Sequence, residues 1–190
     1  YALTPDSFKK RIENINLILF NAREKKVHPQ KDDKVLTDWN GMMISAIARA
    51  ARVFDNDVYG NYAIEAMDFI LNNLKNNDGK LLKRYRNGNS GLDGVLDDYA
   101  YVIWGLIELY QYNFNPRYLD ESILLSDYQI EHFLDKEKGG FFFTSNISKE
   151  LLVRSKEIYD GAIPSGNAVS TNNFIRLGRI LSNIKYENLS

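Results

Sequence analysis

Two stretches of this chain are apolar on nearly every side, and with a third helix they form a series that opens near residues 38, 98 and 166, about 60 and 68 residues apart. The first runs from Trp39 to Phe54 and carries Met42, Met43, Ile44, Ala46, Ile47, Ala48, Ala50, Ala51 and Val53, interrupted by Asn40, Ser45, Arg49 and Arg52. The second runs from Tyr99 to Tyr112, with Glu108 its charge after Asp98, and the third from about Gly166 to Ser182. A helix that is apolar all round is one enclosed by other helices. Amphipathic helices alternate with them. Phe8, Ile12, Ile15, Ile18, Leu19 and Ala22 recur at spacings of three and four behind a Thr4-Pro5 start, which predicts a helix over about 5–25. Tyr59, Tyr62, Ala63, Ala66, Met67, Ile70 and Leu74 mark another, and Asn115-Pro116 opens a further one to about Leu134. Outer and inner helices in alternation, repeated at this scale, predict stacked helical hairpins. The expected fold is all-α: a partial (α/α)6 toroid of about three hairpins, half of a closed ring. One domain over 1–190 would hold hairpins at about 5–54, 58–112 and 116–182, with short β-hairpins at one rim. Leu81–Tyr85 reads as a short strand, and Phe141–Thr144 as a strand pairing with Leu151–Arg154.

Composition narrows the chemistry. Lys plus Arg is 24 and Asp plus Glu 25, a net charge of −1, which argues against a nucleic-acid partner. There is no cysteine, so no disulfide, thiolate nucleophile or Cys-ligated metal. Two histidines, His28 and His132, cannot make a multi-histidine metal site, and neither metal nor cofactor is expected. Mean hydropathy is −0.38, and no apolar run approaches the roughly 20 residues of a membrane helix. A cytoplasmic protein without a membrane partner is expected. The first residue is Tyr1 rather than Met, as in a processed or excised piece.

Inner helices of a toroid run parallel, so their first residues gather at one rim. Those segments are Asp32-Asp33-Lys34-Val35-Leu36-Thr37-Asp38-Trp39-Asn40-Gly41, Leu96-Asp97-Asp98-Tyr99-Ala100 and Tyr159-Asp160-Gly161-Ala162-Ile163-Pro164-Ser165-Gly166-Asn167. Each places an aspartate beside an aromatic ring. Carboxylates accept hydroxyl hydrogen bonds or exchange protons, and rings stack on the apolar faces of sugars, so the rim is a candidate sugar site. Asp38, Asp98 and Asp160 are the candidate acid/base groups; Trp39, Asn40, Tyr99, Tyr159, Arg154, Glu157 and Asn167 are the candidate binding residues. Each has a structural alternative. Asp38 and Asp97 could serve as N-caps, Trp39 and Tyr99 as core, and Arg154, Glu157 and Arg84 as partners of one another. Adjacent helical residues diverge by about 100°, so one of Asp97 and Asp98 should cap while the other faces a cleft. His28 is either a general acid or base or a loop residue, and His132 a helix C-terminal contact. Arg49 and Arg52 need acidic or carbonyl partners. The glycines of 88–94 lack the lysine of a phosphate loop.

These three rim segments, with Gly139-Gly140-Phe141-Phe142-Phe143-Thr144, resemble the spermatogenesis-associated protein 20 and YyaL-like family over about residues 27–182. The resemblance implies a six-hairpin toroid akin to glycosidases and N-acylglucosamine 2-epimerases, joined in longer members to a thioredoxin-like domain. It implies fold more than activity. Residue 168 is Ala where many members carry Ser, and the two-histidine chemistry of the epimerases finds only His28 near the rim. The expected partners are a sugar or sugar derivative, and the rest of the toroid or another copy across an exposed apolar face. A non-catalytic helical interaction module is the alternative.

Overall fold

The computed structural model describes residues 4–148 and 153–189, and the chain divides into two compact units, Tyr1–Asp33 and Lys34–Ser190. In the first unit helix α1 spans Pro5–Glu24. The Thr4 hydroxyl accepts from the Ser7 N–H at its start, Pro5 and Asp6 fill its first turn, and Arg23 its last. None of its residues is buried, and Phe8, Ile12, Ile15, Ile18 and Leu19 form an exposed apolar stripe.

The second unit holds β1 (Val35–Leu36), α2 (Thr37–Phe54), α3 (Asp57–Asn73), β2 (Leu82–Arg86), β3 (Asn89–Asp93), α4 (Leu96–Asn113), α5 (Pro116–Phe133), α6 (Gly166–Leu181) and α7 (Ile184–Glu187). Helix α4 is the centre, packed between α2 and α6 with α5 behind it, while α3 backs α2. Tyr99, Val102, Ile103, Leu106, Ile107 and Leu109 of α4 join Ile44, Met67, Ile70, Leu125, Phe133 and Phe174 in one core. Helices α2, α4 and α6 are therefore the inner layer and α3 and α5 the outer one, a partial α/α toroid. Only α4 is enclosed as the sequence suggests. On α2, Met43, Ala46, Arg49, Arg52 and Val53 stay exposed.

Glycines set the closest approach between inner helices. A Cβ on Gly41 of α2 would stand 2.7 Å from the Tyr101 carbonyl carbon and the Val102 nitrogen of α4, and Gly105 meets the Gly41 carbonyl in turn. Backbone packs on backbone there, which holds the beginnings of α2 and α4 together.

The strands run in the order β1-β2-β3, antiparallel throughout. Asn87 and Gly88 at the β2–β3 turn have φ of 50° and 78°, the left-handed pair that a two-residue hairpin turn needs. The strand expected at Leu81–Tyr85 is present as Leu82–Arg86, and the glycines of 88–94 fall in its turn (Gly88), its hairpin partner (Gly91) and the residue after that partner (Gly94). The second hairpin is different. Phe141 makes an isolated bridge to Leu134, and Phe143 donates to the Ser155 carbonyl. Of the segment expected to pair with it, Leu151 and Leu152 lie outside the described residues, and Arg154 turns its side chain back onto the Thr144 and His132 carbonyls.

Candidate functional site

The start of α4 ties together the starts of both neighbouring inner helices. Asp98, third residue of α4, accepts from the Val95 N–H at 2.8 Å through one oxygen and from the Asp38 N–H at 3.0 Å through the other. It thereby satisfies an orphan donor of its own helix and one of α2, whose N-cap position, Leu36, has no capping side chain. Asp97 turns the other way and lies against Gly166, the first residue of α6, whose N–H favours its charged form. Neither Asp38 nor Asp97 stands at the N-cap position of its own helix: Asp38 Oδ1 accepts from the Trp39 N–H within α2 at 2.8 Å, while Asp98 and Asp97 accept from the neighbouring α2 and α6.

Lys83, on β2, completes the cluster. Its Nζ is 2.6 Å from Asp38 Oδ2 and 3.3 Å from Asp98 Oδ1. Strand β2 reaches this position because β1 pairs with it immediately before α2 and the Thr37 hydroxyl donates to the Leu82 carbonyl at 2.5 Å. Burial works against the charge of Lys83, yet Asp98 and Asp38 outweigh it and its pKa is raised. Asp98 is fully buried, and burial pushes its carboxyl up to about 7 despite Lys83 and the Val95 N–H. Asp97 is half-buried, and burial raises its pKa as well, with Glu157 and Asp38 adding to the rise and Lys83 opposing it.

Asp160 stands in the loop before α6, where it accepts from the Ser165 N–H at 2.8 Å; that bond holds its carboxyl below the usual range. The hydroxyl of Tyr101 relates the groups. It donates to the Pro164 carbonyl, and its pKa is pushed up to about 12 by burial and then by Asp97, Asp38 and Asp160. The rim is therefore acidic, as its three segments suggest, but the roles are redistributed. Asp38 and Asp98 come together on Lys83, Asp160 caps its own loop, and Asp97 is the half-buried carboxyl left at the rim.

The binding candidates divide similarly. Trp39 is 60% exposed and Tyr159 86%. Glu157 is exposed, and the Asn40 amide donates to the Leu36 carbonyl one turn back. Tyr99 is core: its ring stacks on Tyr128 and packs at a tilt against Phe133, and its hydroxyl accepts from the Leu81 N–H. Arg154 lies over the Phe142 ring, its hydrogen bonds taken by backbone carbonyls rather than by Glu157. The Asn167 amide clips a loop to α6, accepting from the Phe141 N–H and donating to the Phe141 and Glu157 carbonyls. His28 makes an ion-pair contact with Glu24 in the first unit, and the His132 ring lies beside Asn146. Lys83 was not singled out from sequence, and Asp97 only as a cap or as the alternative to Asp98; the alternation of a strand predicted beside the rim was the available signal for Lys83.

No family model matches the chain. Human spermatogenesis-associated protein 20 is 34% identical over 169 residues, which cover 84% of this chain and 22% of that protein. This chain resembles one stretch of spermatogenesis-associated protein 20. An uncharacterized Caenorhabditis elegans protein is 29% identical over 186 residues, 94% of this chain and 25% of that one. The chain thus spans about a fifth to a quarter of the length of these relatives. Among solved structures, a GH76 α-mannanase of Bacteroides thetaiotaomicron superposes with a TM-score of 0.64 at 18% identity, over 86% of this chain and 44% of that one. Cellobiose 2-epimerase of Bacillus thermoamylovorans gives 0.70 at 17%, over 85% and 43%. An inactive α-1,6-mannanase of a Salegentibacter species, with two consecutive aspartates changed to asparagine and α-1,6-mannotriose bound, gives 0.58 at 11%, over 80% and 44%. The second unit has the fold of part of a six-hairpin glycosidase-like domain. Among the described residues no helix is long and apolar enough to cross a membrane, and no three His, Asp or Glu side chains group to hold a metal ion.

Proposed function

We propose that the inner-helix rim is a carbohydrate site, in which Asp97 carries an exchangeable proton and Trp39 offers a stacking face. The observation that carries this reading is Asp97 itself, a rim carboxyl with burial favouring its neutral form. A general acid works through its neutral form, and partial burial acts in that direction at Asp97 while Lys83 and the Gly166 N–H act against it. Asp38 hands one oxygen to Lys83, and Asp98 is wholly engaged by protein groups. Those two are therefore positioning residues: they fix the relative placement of the α2 and α4 starts, and so of Trp39 and Asp97. Asp160, Glu157, Asn40 and Tyr159 supply further polar or aromatic groups from the rim. Support comes from the α-1,6-mannanase that is inactive when two consecutive aspartates become asparagine; Asp97-Asp98 is such a consecutive pair, at the start of an inner helix.

The test is a thermal-shift panel of neutral mono- and disaccharides, cellobiose and α-1,6-mannobiose among them. Ligand that binds only the folded state stabilises it by about 2.7 kcal/mol at a hundredfold excess over Kd. A saturable rise in Tm that Trp39→Ala and Asp97→Asn abolish supports the site; a flat panel, or a rise both variants keep, refutes it. The wholly exposed apolar stripe of α1 favours a second role, docking the chain to the rest of a longer protein or to another copy. Sedimentation of the chain against an Ile15→Glu, Leu19→Glu variant tests it: an unchanged oligomeric state removes the second-copy form.

A further inference from the structure

About two to four turns along the inner helices from the rim, a second feature has a different chemistry. A cleft of about 480 Å³ opens between α2, α4 and α6, lined by Arg49 and Arg52, by Trp104, Glu108 and Gln111, and by Arg176. Helical periodicity puts these side chains on one face: Arg49 and Arg52 are three apart, and Trp104, Glu108 and Gln111 follow at four and three. Sequence reasoning demanded partners for both arginines of α2, and the structure supplies them for one. Arg52 donates to Gln111 Oε1 at 2.6 Å and stands 3.7 Å from Glu108 Oε2. Arg176 is 2.8 Å from Glu108 Oε1. Arg49 has no hydrogen bond or ion pair among the described residues.

Two guanidiniums, of Arg52 and Arg176, therefore flank one carboxylate, and a third, of Arg49, lines the same cleft. Glu108 is only 4% exposed, and its Oε2 lacks a hydrogen bond although Arg52 is beside it. Each guanidinium presents five N–H donors in a planar fork suited to carboxylate or phosphate oxygens. The acceptors that engage these guanidiniums, the two Glu108 oxygens and Gln111 Oε1, leave most of those donors unused. Glu108 holds Arg52 and Arg176 in place from beneath, and Arg49, at the exposed edge, is uncompensated. Charge excess, unspent donors and the adjoining half-buried indole of Trp104 together describe a seat for an anion attached to an apolar-faced body.

We infer that this cleft binds an anionic sugar unit, a carboxylate- or phosphate-bearing monosaccharide, with the anion on Arg49 and Arg52 and the ring against Trp104. The anionic part stands on the cleft alone; the sugar part rests on the carbohydrate reading of the rim. The experiment is a calorimetric titration of the protein with glucuronate, glucose 6-phosphate, glucose and inorganic phosphate. At least one of the two sugar anions should saturate, and which one does separates carboxylate from phosphate. Glucose should bind at least tenfold more weakly. Arg49→Ala should weaken the sugar anion at least tenfold, and because Arg49 is exposed and unpaired the variant should keep the parent Tm. Arg49→Lys, which keeps the charge but not the fork, should fall between. An unchanged affinity in Arg49→Ala overturns the site, as does failure of both sugar anions to saturate. Inorganic phosphate binding as tightly as the sugar anion overturns the sugar assignment. Trp39→Ala separates the two readings: it should abolish neutral-sugar binding at the rim and leave the Arg49-dependent titration intact.

Discussion

Replacing Gly41 by Ala places a methyl group 2.7 Å from the Tyr101 carbonyl carbon and the Val102 nitrogen and 2.9 Å from the Tyr101 oxygen. All three are backbone atoms of α4 and cannot rotate aside. Restoring ordinary contact requires α2 and α4 to part by about 0.7 Å, since real Cβ contacts rarely fall below about 3.4 Å. The Asp38 N–H to Asp98 hydrogen bond, now 3.0 Å, spans the same pair of helices less than one turn away and would open past bonding distance. Overpacking costs about 1–3 kcal/mol and the lost charge-assisted bond about 1.5–3, against about 1 gained from the higher helix propensity of Ala. The net expectation is a loss of about 2–5 kcal/mol, a large share of a typical domain's stability. Urea unfolding followed by tryptophan fluorescence reads it cleanly, because Trp39 and Trp104 both belong to the second unit. Gly91→Ala is the control: its Cβ would meet nothing within 4 Å, and stability should move by less than about 0.5 kcal/mol. A Gly41→Ala protein as stable as its parent would refute the close approach of these helices as the element that fixes the rim.

Further outcomes follow from the carboxylate cluster and the hairpin. Asp98 titrates at about 7 in the folded protein against 3.8 ordinarily, so the folded state holds this proton more tightly. Its contribution is full below about pH 4, falls as pH rises through about 7 and is then gone; Asp98→Asn should flatten that part of the stability profile, and a persisting slope would assign it to other groups. Lys83→Met leaves Asp38 and Asp98 without their shared cation and should cost about 2–3 kcal/mol at about pH 8, and less at about pH 5 where Asp98 is protonated. A double-mutant cycle with Asp98→Asn checks that the loss is their coupling. Gly88→Ala forces a side chain to a φ of 78° and should cost about 1–2 kcal/mol in urea unfolding while leaving binding at the rim unchanged.

Much of this architecture is legible in the chain. The apolar periods of α2, α4 and α6 carry their own boundaries, and Thr4-Pro5 and Asn115-Pro116 start α1 and α5 where capping chemistry requires. What periodicity cannot supply is azimuth across helices. Asp97 and Asp98 look interchangeable in sequence; which is buried depends on how α4 turns against α2, and the Gly41–Tyr101 contact that sets this joins residues 60 apart. Tyr99 follows an aspartate as Trp39 does, yet its ring falls on the α5 side, where Tyr128 and Phe133 receive it. The β2–β3 hairpin carries its signal in Asn87-Gly88, but β3, Asn-Ser-Gly-Leu-Asp, has no β-branched residue and reads as loop. Arg154 and Glu157 lie close in sequence and could pair; the carbonyls of Thr144 and His132 take the guanidinium instead.

The most direct test of a carbohydrate site at this rim is chemical-shift mapping while the best neutral disaccharide of the thermal-shift panel is added. A sugar bound there shifts the Trp39 indole N–H and the Asp97 carboxyl saturably and leaves the buried Tyr99 ring and the whole of α1 undisturbed. Shifts that never saturate, or that gather on α1 while Trp39 and Asp97 stay still, would contradict a carbohydrate site there.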